Sequence, residues 1–411
     1  MITLKINKLS EKQKKSMALS KNRINLWQGA VRSGKTIASI LRWLVYIEYG
    51  PEGELLMIGK THRTLKRNIL DVIQQLVSDK DYKYNRGLGE VEILGRKIYI
   101  AGANDARAED KIRGMTLAGA YGDEVTIWPE GFFNMLLSRL SVKDAKVFLT
   151  TNPEGPYHWL KQDYIDREDE LDIANFSFNL EDNPGLDKKY IQNLKKEYSG
   201  VWYQRYILGK WVLAEGIIYD MVNDDNYISV NDLPEMKKYW IAADYGIANP
   251  TAFGLIGLGV DNKLYLIDEY WHSGREGTEK TDSKYADELE NFIAKNAVKP
   301  DWIFIDPSAK SFITELYYRR NDNPAFYNIA KANNNVIDGI RRVGNLFGQN
   351  KLMIVEENCP KTKEELNSYV WDSKAQQRGE DKPLKENDHI MDLIRYTING
   401  LPRVTERITH K

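Results

Sequence analysis

Short apolar runs alternate with amphipathic stretches through the first half of the chain. Asn25-Leu-Trp27 reads as a strand running into a glycine-rich turn, and residues 37–49 follow with apolar side chains at helical spacing. Leu55-Leu-Met-Ile58 is uninterrupted and apolar, the pattern of a strand buried on both faces. Val91 to Ile100 predicts a hairpin turning near Gly95, and Leu117 to Tyr121 and Lys146 to Thr151 predict two further buried strands. Strands alternating with helices imply a parallel α/β sheet.

From about Tyr198 to Lys238 the pattern loosens into acidic and Asn-rich letters, with Glu215-Gly216, Asn223-Asp-Asp-Asn226 and Pro234. The aromatic stretch Tyr198 to Trp211 is partly helical and is expected to pack against one domain. The pattern restarts with Tyr239-Trp-Ile-Ala-Ala243. An antiparallel pair follows, Thr251 to Val260 and Lys263 to Tyr270, joined at Asp261-Asn262, and then the strand Asp301 to Ile305. Helices are expected over 311–319, 336–347, 361–371 and 388–399, with a polar loop over 373–383. Strand, hairpin, helix, strand and late helices suggest a ribonuclease-H-type α/β domain. The expected organisation is a first domain at 1–212, a linker at 213–236 and a second domain at 237–411.

A length of 411 residues suits two domains, each able to bury its own core. No apolar run is long enough to span a bilayer, and the N-terminus lacks the layout of a secretion signal, so a cytoplasmic location is expected. The one cysteine, Cys359, has no internal partner and reads as an ordinary small side chain. With 58 basic and 59 acidic residues, net charge neither announces nor excludes nucleic acid.

Gly29-Ala-Val-Arg-Ser-Gly34-Lys35-Thr36 fits the phosphate-loop pattern G-x-x-x-x-G-K-[ST]. Eight letters can match by chance. A preceding strand and a following helix make this match strong, because the curled backbone and the helix end then face one phosphate chain. Lys35 is placed to reach the β- and γ-phosphates and Thr36 to ligate Mg2+. Asp123-Glu124, at the end of a later strand, supplies the acidic pair such a loop needs: Asp123 for Mg2+ and Glu124 as general base for the attacking water. Arg32 either stabilises charge on the γ-phosphate or bridges structurally to Glu124 or a neighbour; Arg139 is a weaker candidate for reaching a neighbouring subunit. Thr150-Thr151-Asn152 ends the next strand, where polar side chains would sense the γ-phosphate.

Asp244 and Asp306 each end an apolar strand, where a lone carboxylate is costly without a cation or donors. His389 and Asp392 lie three apart and share a face if Asp388 to Asn399 is helical. Each acid taken singly is an ordinary cap or turn residue. Together they suggest an oxygen-rich site for two Mg2+ or Mn2+ ions and phosphodiester cleavage.

At these residues the chain resembles the large terminase subunit of tailed bacteriophages, over nearly its whole length. The resemblance implies an N-terminal RecA-like P-loop ATPase domain that uses ATP, with Gly29, Arg32, Ser33, Gly34, Lys35 and Thr36 in its loop. It also implies a C-terminal ribonuclease-H-like nuclease domain, with Asp244, Asp306, His389 and Asp392 at the metal site and Asp388 beside it. The adenine-contacting glutamine of the family would be Gln13. The implied partners are double-stranded viral DNA, a small terminase subunit and the portal protein of the procapsid, on which a ring homo-oligomer, usually a pentamer, assembles; no membrane is involved. The implied location is the bacterial host cytoplasm, with transient docking on the portal. Lys5, Lys8, Lys12, Lys14 and Lys15, with Lys66-Arg67, Arg319-Arg320 and Arg341-Arg342, are candidates for DNA phosphate contact. Two rivals remain at this point: a transposase or integrase, and a non-catalytic, nucleotide-switched capsid-vertex assembly factor.

Overall fold

Parallel strands need a crossover of a dozen or more residues, and the helical stretches of the first half supply them. The computed structural model describes residues 8–103, 108–246, 250–273 and 279–409. The chain divides into two compact units. The first is Met1–Lys195 with Val201–Leu213 and Gln377–Glu380; the second is Lys196–Gly200 with Ala214–Gln376 and Asp381–Lys411.

The first unit contains β1 (Ile24–Gly29), β2 (Glu54–Gly59), β3 (Tyr82–Asn85), β4 (Glu90–Ile93), β5 (Arg96–Gly102), β6 (Leu117–Gly122), β7 (Lys146–Thr151) and β8 (Ile173–Phe178). They form one sheet in the order β3-β4-β5-β2-β6-β7-β1-β8. The expected hairpin pairs β4 with β5 antiparallel and β3 extends it; the other pairings are parallel. The helix Lys35–Tyr49 presses Trp43, Tyr46 and Ile47 onto one face, where Trp43 and Tyr46 meet Phe148 with ring centroids 5.7 and 4.9 Å apart. The helix Glu130–Arg139 buries Phe132, Phe133 and Leu136 on the other face. Both faces are covered, which is why β1, β2, β6 and β7 are buried at nearly every position and β2 reads as a continuous apolar run. β3 and β8 were not legible in that pattern. They lie on the two edges; β3 alternates half-buried with exposed positions, and β8 is buried only at its ends.

The aromatic stretch near Trp211 packs as expected against one unit, the first. Val31 N donates to Tyr206 O at 2.8 Å, Trp211 Nε1 to Gln28 Oε1 at 3.1 Å, and the fully buried Arg205 to Val212 O at 2.8 Å and Glu154 Oε2 at 3.1 Å.

The second unit contains β9 (Tyr227–Ile228), β10 (Met236–Asp244), β11 (Thr251–Gly259), β12 (Leu264–His272), β13 (Trp302–Ile305), β14 (Ile329–Lys331) and β15 (Leu352–Val355), ordered β14-β13-β10-β11-β12-β15-β9. β10, β11 and β12 form an antiparallel meander, β13 runs parallel to β10, and β14 parallel to β13. The helices Asp282–Lys295 and Lys310–Arg319 cover one face through Tyr285, Leu289, Phe312 and Leu316. The helix His389–Gly400 lies against β10, β11 and β13. Cys359 is buried with its Sγ 3.6 Å from Leu266 O, in keeping with a small core side chain.

The linker expected at 213–236 is corrected. Most of it belongs to the second unit, and Tyr227-Ile228 pairs with β15. Asn226 is buried, with Nδ2 donating to Phe347 O at 3.0 Å. The Asn-Asp run misled because it is a capped turn, in which Asn223 Oδ1 accepts from Asp225 N at 2.9 Å. The expected polar loop at 373–383 likewise begins with a helical turn, Ser373–Gln377. Among the described residues no helix is long and apolar enough to cross a membrane.

Gly209 has φ +65°, and a Cβ there would stand 3.1 Å from Ala30 N and 3.3 Å from Gly29 Cα. Gly216 has φ +74° with nothing within 4 Å. Both glycines escape the left-handed penalty of about 1–2 kcal/mol, but only Gly209 also avoids a backbone clash. Denaturant unfolding should therefore find Gly209→Ala less stable than Gly216→Ala by about 1–2 kcal/mol.

Candidate functional site

Gly29 closes β1 at φ +130°; a Cβ there would lie 2.0 Å from Phe178 O, so the chain turns here on a bare backbone. Gly34 is the left-handed N-cap of the helix Lys35–Tyr49 and gives it no side-chain cap. The helix start therefore offers uncapped N–H groups to an anion. It opens on a cavity of about 500 Å³ lined by Ser33, Lys35, Thr36, Asp123, Glu124 and Asn152, among others.

Lys35 is 7% exposed and donates to Ala30 O at 3.0 Å and Asn152 Oδ1 at 2.7 Å. Burial pushes its pKa down to about 8, against the pull of Asp123 and Glu124. Asp123 is buried and raised by desolvation, although Thr150 Oγ1 donates to Oδ1 at 2.6 Å and Asn68 Nδ2 to Oδ2 at 3.4 Å. Glu124 is raised by burial and by Asp123, and is held in left-handed backbone at φ 56°. Such strain in a non-glycine residue persists where the surroundings over-determine it. Thr151 Oγ1 bonds Thr126 Oγ1 at 2.7 Å.

Arg32 also lines this cavity and is exposed, at φ 55°, with its carbonyl accepting from Asn183 Nδ2 at 2.7 Å. No ion pair joins Arg32 to Glu124 among the described residues. Arg139 donates to Arg113 O at 2.6 Å. Gln13 completes the capping box of the helix Glu11–Leu19 and donates Nε2 to Gly34 O at 2.9 Å, beside a second cavity of about 360 Å³. Several basic candidates for DNA contact are occupied: Arg319 by Asp287 and Glu315, Arg341 by Asp338, Lys12 by Asp182. Lys5 lies outside the described residues. Arg67, also expected on the DNA side, lines the phosphate-loop cavity with Asn68. Sequence reading missed this because a π-helical turn, Lys66–Leu70, aims them there.

In the second unit Asp244 ends β10 and Asp306 follows β13, with Asp306 N donating to Ala243 O at 3.3 Å. The helix His389–Gly400, with Asp388 at its N-cap, brings its own groups to them. Tyr396 OH donates to Asp306 Oδ2 at 2.7 Å and stands 3.4 Å from both Asp244 Oδ1 and Asp392 Oδ2. His389 Nδ1 lies 2.7 Å from Asp244 Oδ2, and the buried Arg395 pairs with Asp392 at 2.7 Å.

Burial, with Asp392 and Asp306 as like charges, raises Asp244 despite His389. Asp388 is raised to about 6 by burial and then by Asp392. Burial also acts upward on Asp306, but donors from Ser308, Tyr396 and Asn334 outweigh it and its pKa is lowered. Burial acts downward on His389, yet the hydrogen bond to Asp244 prevails and its pKa is raised. The four expected residues thus meet, though not as a ready-made cage. Among the described residues no group of three or more His, Cys, Asp or Glu side chains is gathered so as to hold a metal ion.

Sequence reading gave Tyr396 no role, although its hydroxyl meets three of the carboxylates. Glu365 was missed too. It sits in the helix Pro360–Ser368, is 1% exposed, and accepts with Oε2 from Ile390 N at 2.7 Å and Met391 N at 3.3 Å. It therefore caps the helix that carries His389 and Asp392. Nothing in its own neighbourhood of the chain announces this.

A phosphate loop on a largely parallel sheet, with an acidic pair ending a neighbouring strand, places the first unit among P-loop proteins of the ATPase type. The family model described as "Terminase large subunit, T4likevirus-type, N-terminal" matches residues 27–223. The large terminase of a thermophilic bacteriophage is 37% identical, with 96% of this chain and 100% of that chain covered and a TM-score of 0.86. The same phage terminase in complex with ADP is 36% identical over 96% and 100% of the two chains, TM-score 0.83. In complex with ATP-gamma-S it is 36% identical over 95% and 99%, TM-score 0.82. None of the curated proteins is detectably similar to the chain. The chain belongs to the large terminase family.

Burial raises the Glu365 carboxyl from 4.5 to about 7. A carboxyl raised by folding contributes stability that is present below pH 4.5 and is lost as pH climbs through about 7. Glu365→Gln mimics the protonated form. Denaturant unfolding should show the variant matching the wild type near pH 4.5 and exceeding it at pH 8 by on the order of 1–3 kcal/mol. A constant difference across that range would exclude the buried-charge account.

Proposed function

We propose that the first unit is an ATPase domain and the second a ribonuclease-H-type nuclease domain of a phage DNA-packaging motor. The observation that carries the reading is Lys35, which is buried, tied to Asn152, and shares one cavity with Asp123 and Glu124. On this reading Lys35 exchanges Asn152 for the β- and γ-phosphates of ATP. Thr36 and Asp123 hold Mg2+, and Glu124 positions the attacking water and takes its proton. Gln13 and the cavity beside it face the base. Asn152, released by Lys35, reports that the site is filled. The ADP and ATP-gamma-S complexes of the thermophilic phage's terminase support nucleotide use at this site.

The sheet order β12-β11-β10-β13-β14, antiparallel then parallel, supports the second assignment. Three carboxylates that meet at one hydroxyl, with an imidazole beside them, form a donor set suited to Mg2+ or Mn2+. Asp244, Asp306, Asp392 and His389 would hold two such ions, which when bound activate water and stabilise the leaving oxygen of a phosphodiester. Tyr396 keeps the carboxylates in register, and Arg395 orients Asp392. Double-stranded viral DNA is the substrate, cut from concatemers and moved into the procapsid. The small terminase subunit, the portal protein and a pentameric ring of this chain on the portal, in the host cytoplasm, complete the motor.

Plasmid nicking by the full chain with Mn2+ or Mg2+ tests the nuclease half. The wild type should relax supercoiled DNA, and Asp306→Ala should reduce this to the metal-free background. Equal nicking by both would defeat the assignment.

The ATPase half has a pH signature. Nucleotide-free Lys35 loses its proton as pH rises through about 8, and phosphate prefers the ammonium. ADP affinity, measured by fluorescence titration, should be flat below pH 7.5 and weaken by up to about tenfold per pH unit above 8. Lys35→Arg should abolish the slope.

A further inference from the structure

Arg67 stands in the phosphate-loop cavity although its place in the chain gives it no role there. Directly after β2 the chain makes a short helix, His62–Leu65, a single π-helical turn, Lys66–Leu70, and a further helical stretch, Asp71–Leu76. A π turn shifts the angular position of the residues it contains and recurs at functional sites. Here the fully buried Leu65, Ile69 and Leu70 anchor it, and consecutive residues Arg67 and Asn68 both line the cavity with Lys35, Asp123 and Glu124.

Asn68 is used twice. Its Oδ1 accepts from Arg67 Nε at 3.1 Å, and its Nδ2 approaches Asp123 Oδ2 at 3.4 Å. Among the described residues no carboxylate pairs with the Arg67 guanidinium, so its two Nη groups are available to an anion. Its charge acts on the Glu124 carboxyl across the cavity. The neighbouring Lys66 is held by Asp71 at 2.5 Å and does not line the cavity.

We propose that Arg67 is a catalytic residue of nucleotide hydrolysis, binding the γ-phosphate oxygens in cis, with Asn68 positioning it against Asp123. This rests on the ATPase reading above. Water oxygen bonds to the γ-phosphorus and gives its proton to Glu124. The bond to the β–γ bridging oxygen breaks, and its electron pair leaves with ADP. Arg67 stabilises the negative charge on the γ-phosphoryl oxygens during that step, a role that ADP cannot call upon.

The test is steady-state ATP hydrolysis by the full chain, with ADP affinity measured alongside. Arg67→Ala should lower kcat on the order of 10³-fold and leave the ADP Kd within twofold. Arg67→Lys should recover part of kcat, and Asn68→Ala should lower kcat less than Arg67→Ala does. Retention of kcat within threefold in Arg67→Ala overturns the proposal. So does an equal loss in KM and ADP affinity with kcat unchanged, since Arg67 would then bind ground state alone. Loss of DNA binding with ATP turnover intact overturns it in favour of a DNA-facing arginine. A wild type that turns over ATP no faster than Lys35→Ala defeats the ATPase reading itself, and the proposal with it.

Discussion

Charge held away from water is the constraint on which both centres depend. An ionised group taken out of solvent must find an opposite charge or hydrogen-bond donors, or it shifts its pKa and neutralises. In the first unit a lysine is buried against two acids. Burial pulls the Lys35 proton off while Asp123 and Glu124 hold it on, and the balance lies at about 8. In the second unit three carboxylates share one tyrosine hydroxyl, and only one proton on that oxygen can be donated. Asp306 takes it at 2.7 Å, which helps to keep Asp306 ionised while Asp244 is pushed upward. Neither cluster is a low-energy arrangement in isolation. On the proposed reading an anion would complete the first and a cation the second.

Such clusters persist because backbone donors and rigid elements hold them. Glu269, on β12, accepts from Lys361 N at 2.5 Å and Thr362 N at 3.0 Å, which caps the helix Pro360–Ser368. That helix in turn presents Glu365 to the start of the helix His389–Gly400. The half-buried Glu269 and the buried Glu365 thus pass position from the sheet to one helix and from that helix to the next. Each carboxyl accepts backbone N–H groups at a helix start, which offsets part of the burial that raises both. The placement of His389 and Asp392 relative to Asp244 depends on this relay as much as on their own contacts.

What could be read from the chain divides along the range of the interactions. The phosphate loop was legible because its glycines, Lys35 and Thr36 act within eight consecutive residues. The buried strands were legible because both faces of the first sheet are covered. Asp244 and Asp306 were legible as acids closing apolar runs, a pattern that burial makes costly. Edge strands β3 and β8 were not, since exposure breaks the apolar pattern. Tyr396 was given no role, because nothing in its spacing shows that its hydroxyl reaches Asp244 and Asp306, 152 and 90 positions away. Glu365 acts on residues 25 positions away, and no local spacing encodes that. That Arg67 lines the phosphate-loop cavity was not legible because charge was visible and the π turn was not: one extra residue in a helical turn redirects a side chain without altering composition. The supposed linker shows the converse error, in which polar letters that build a capped turn and a short strand were taken for slack chain.

The residues leaving the first unit are attached to its chemistry by backbone, and that limits how the site can move. Gly209 backs so closely onto Gly29 and Ala30 that a Cβ there would stand 3.1 Å from Ala30 N. Val31 N is bonded to Tyr206 O. Arg205, fully buried, grips Glu154, two residues beyond the Asn152 that holds Lys35. A rearrangement of the phosphate loop or of Asn152 therefore breaks buried hydrogen bonds unless the stretch around Arg205 moves with it, and leaving a buried charged donor unpaired costs several kcal/mol. Correlated movement is the cheaper path. The strand ends that would meet the γ-phosphate and the chain that exits the unit are, by that accounting, one mechanical element.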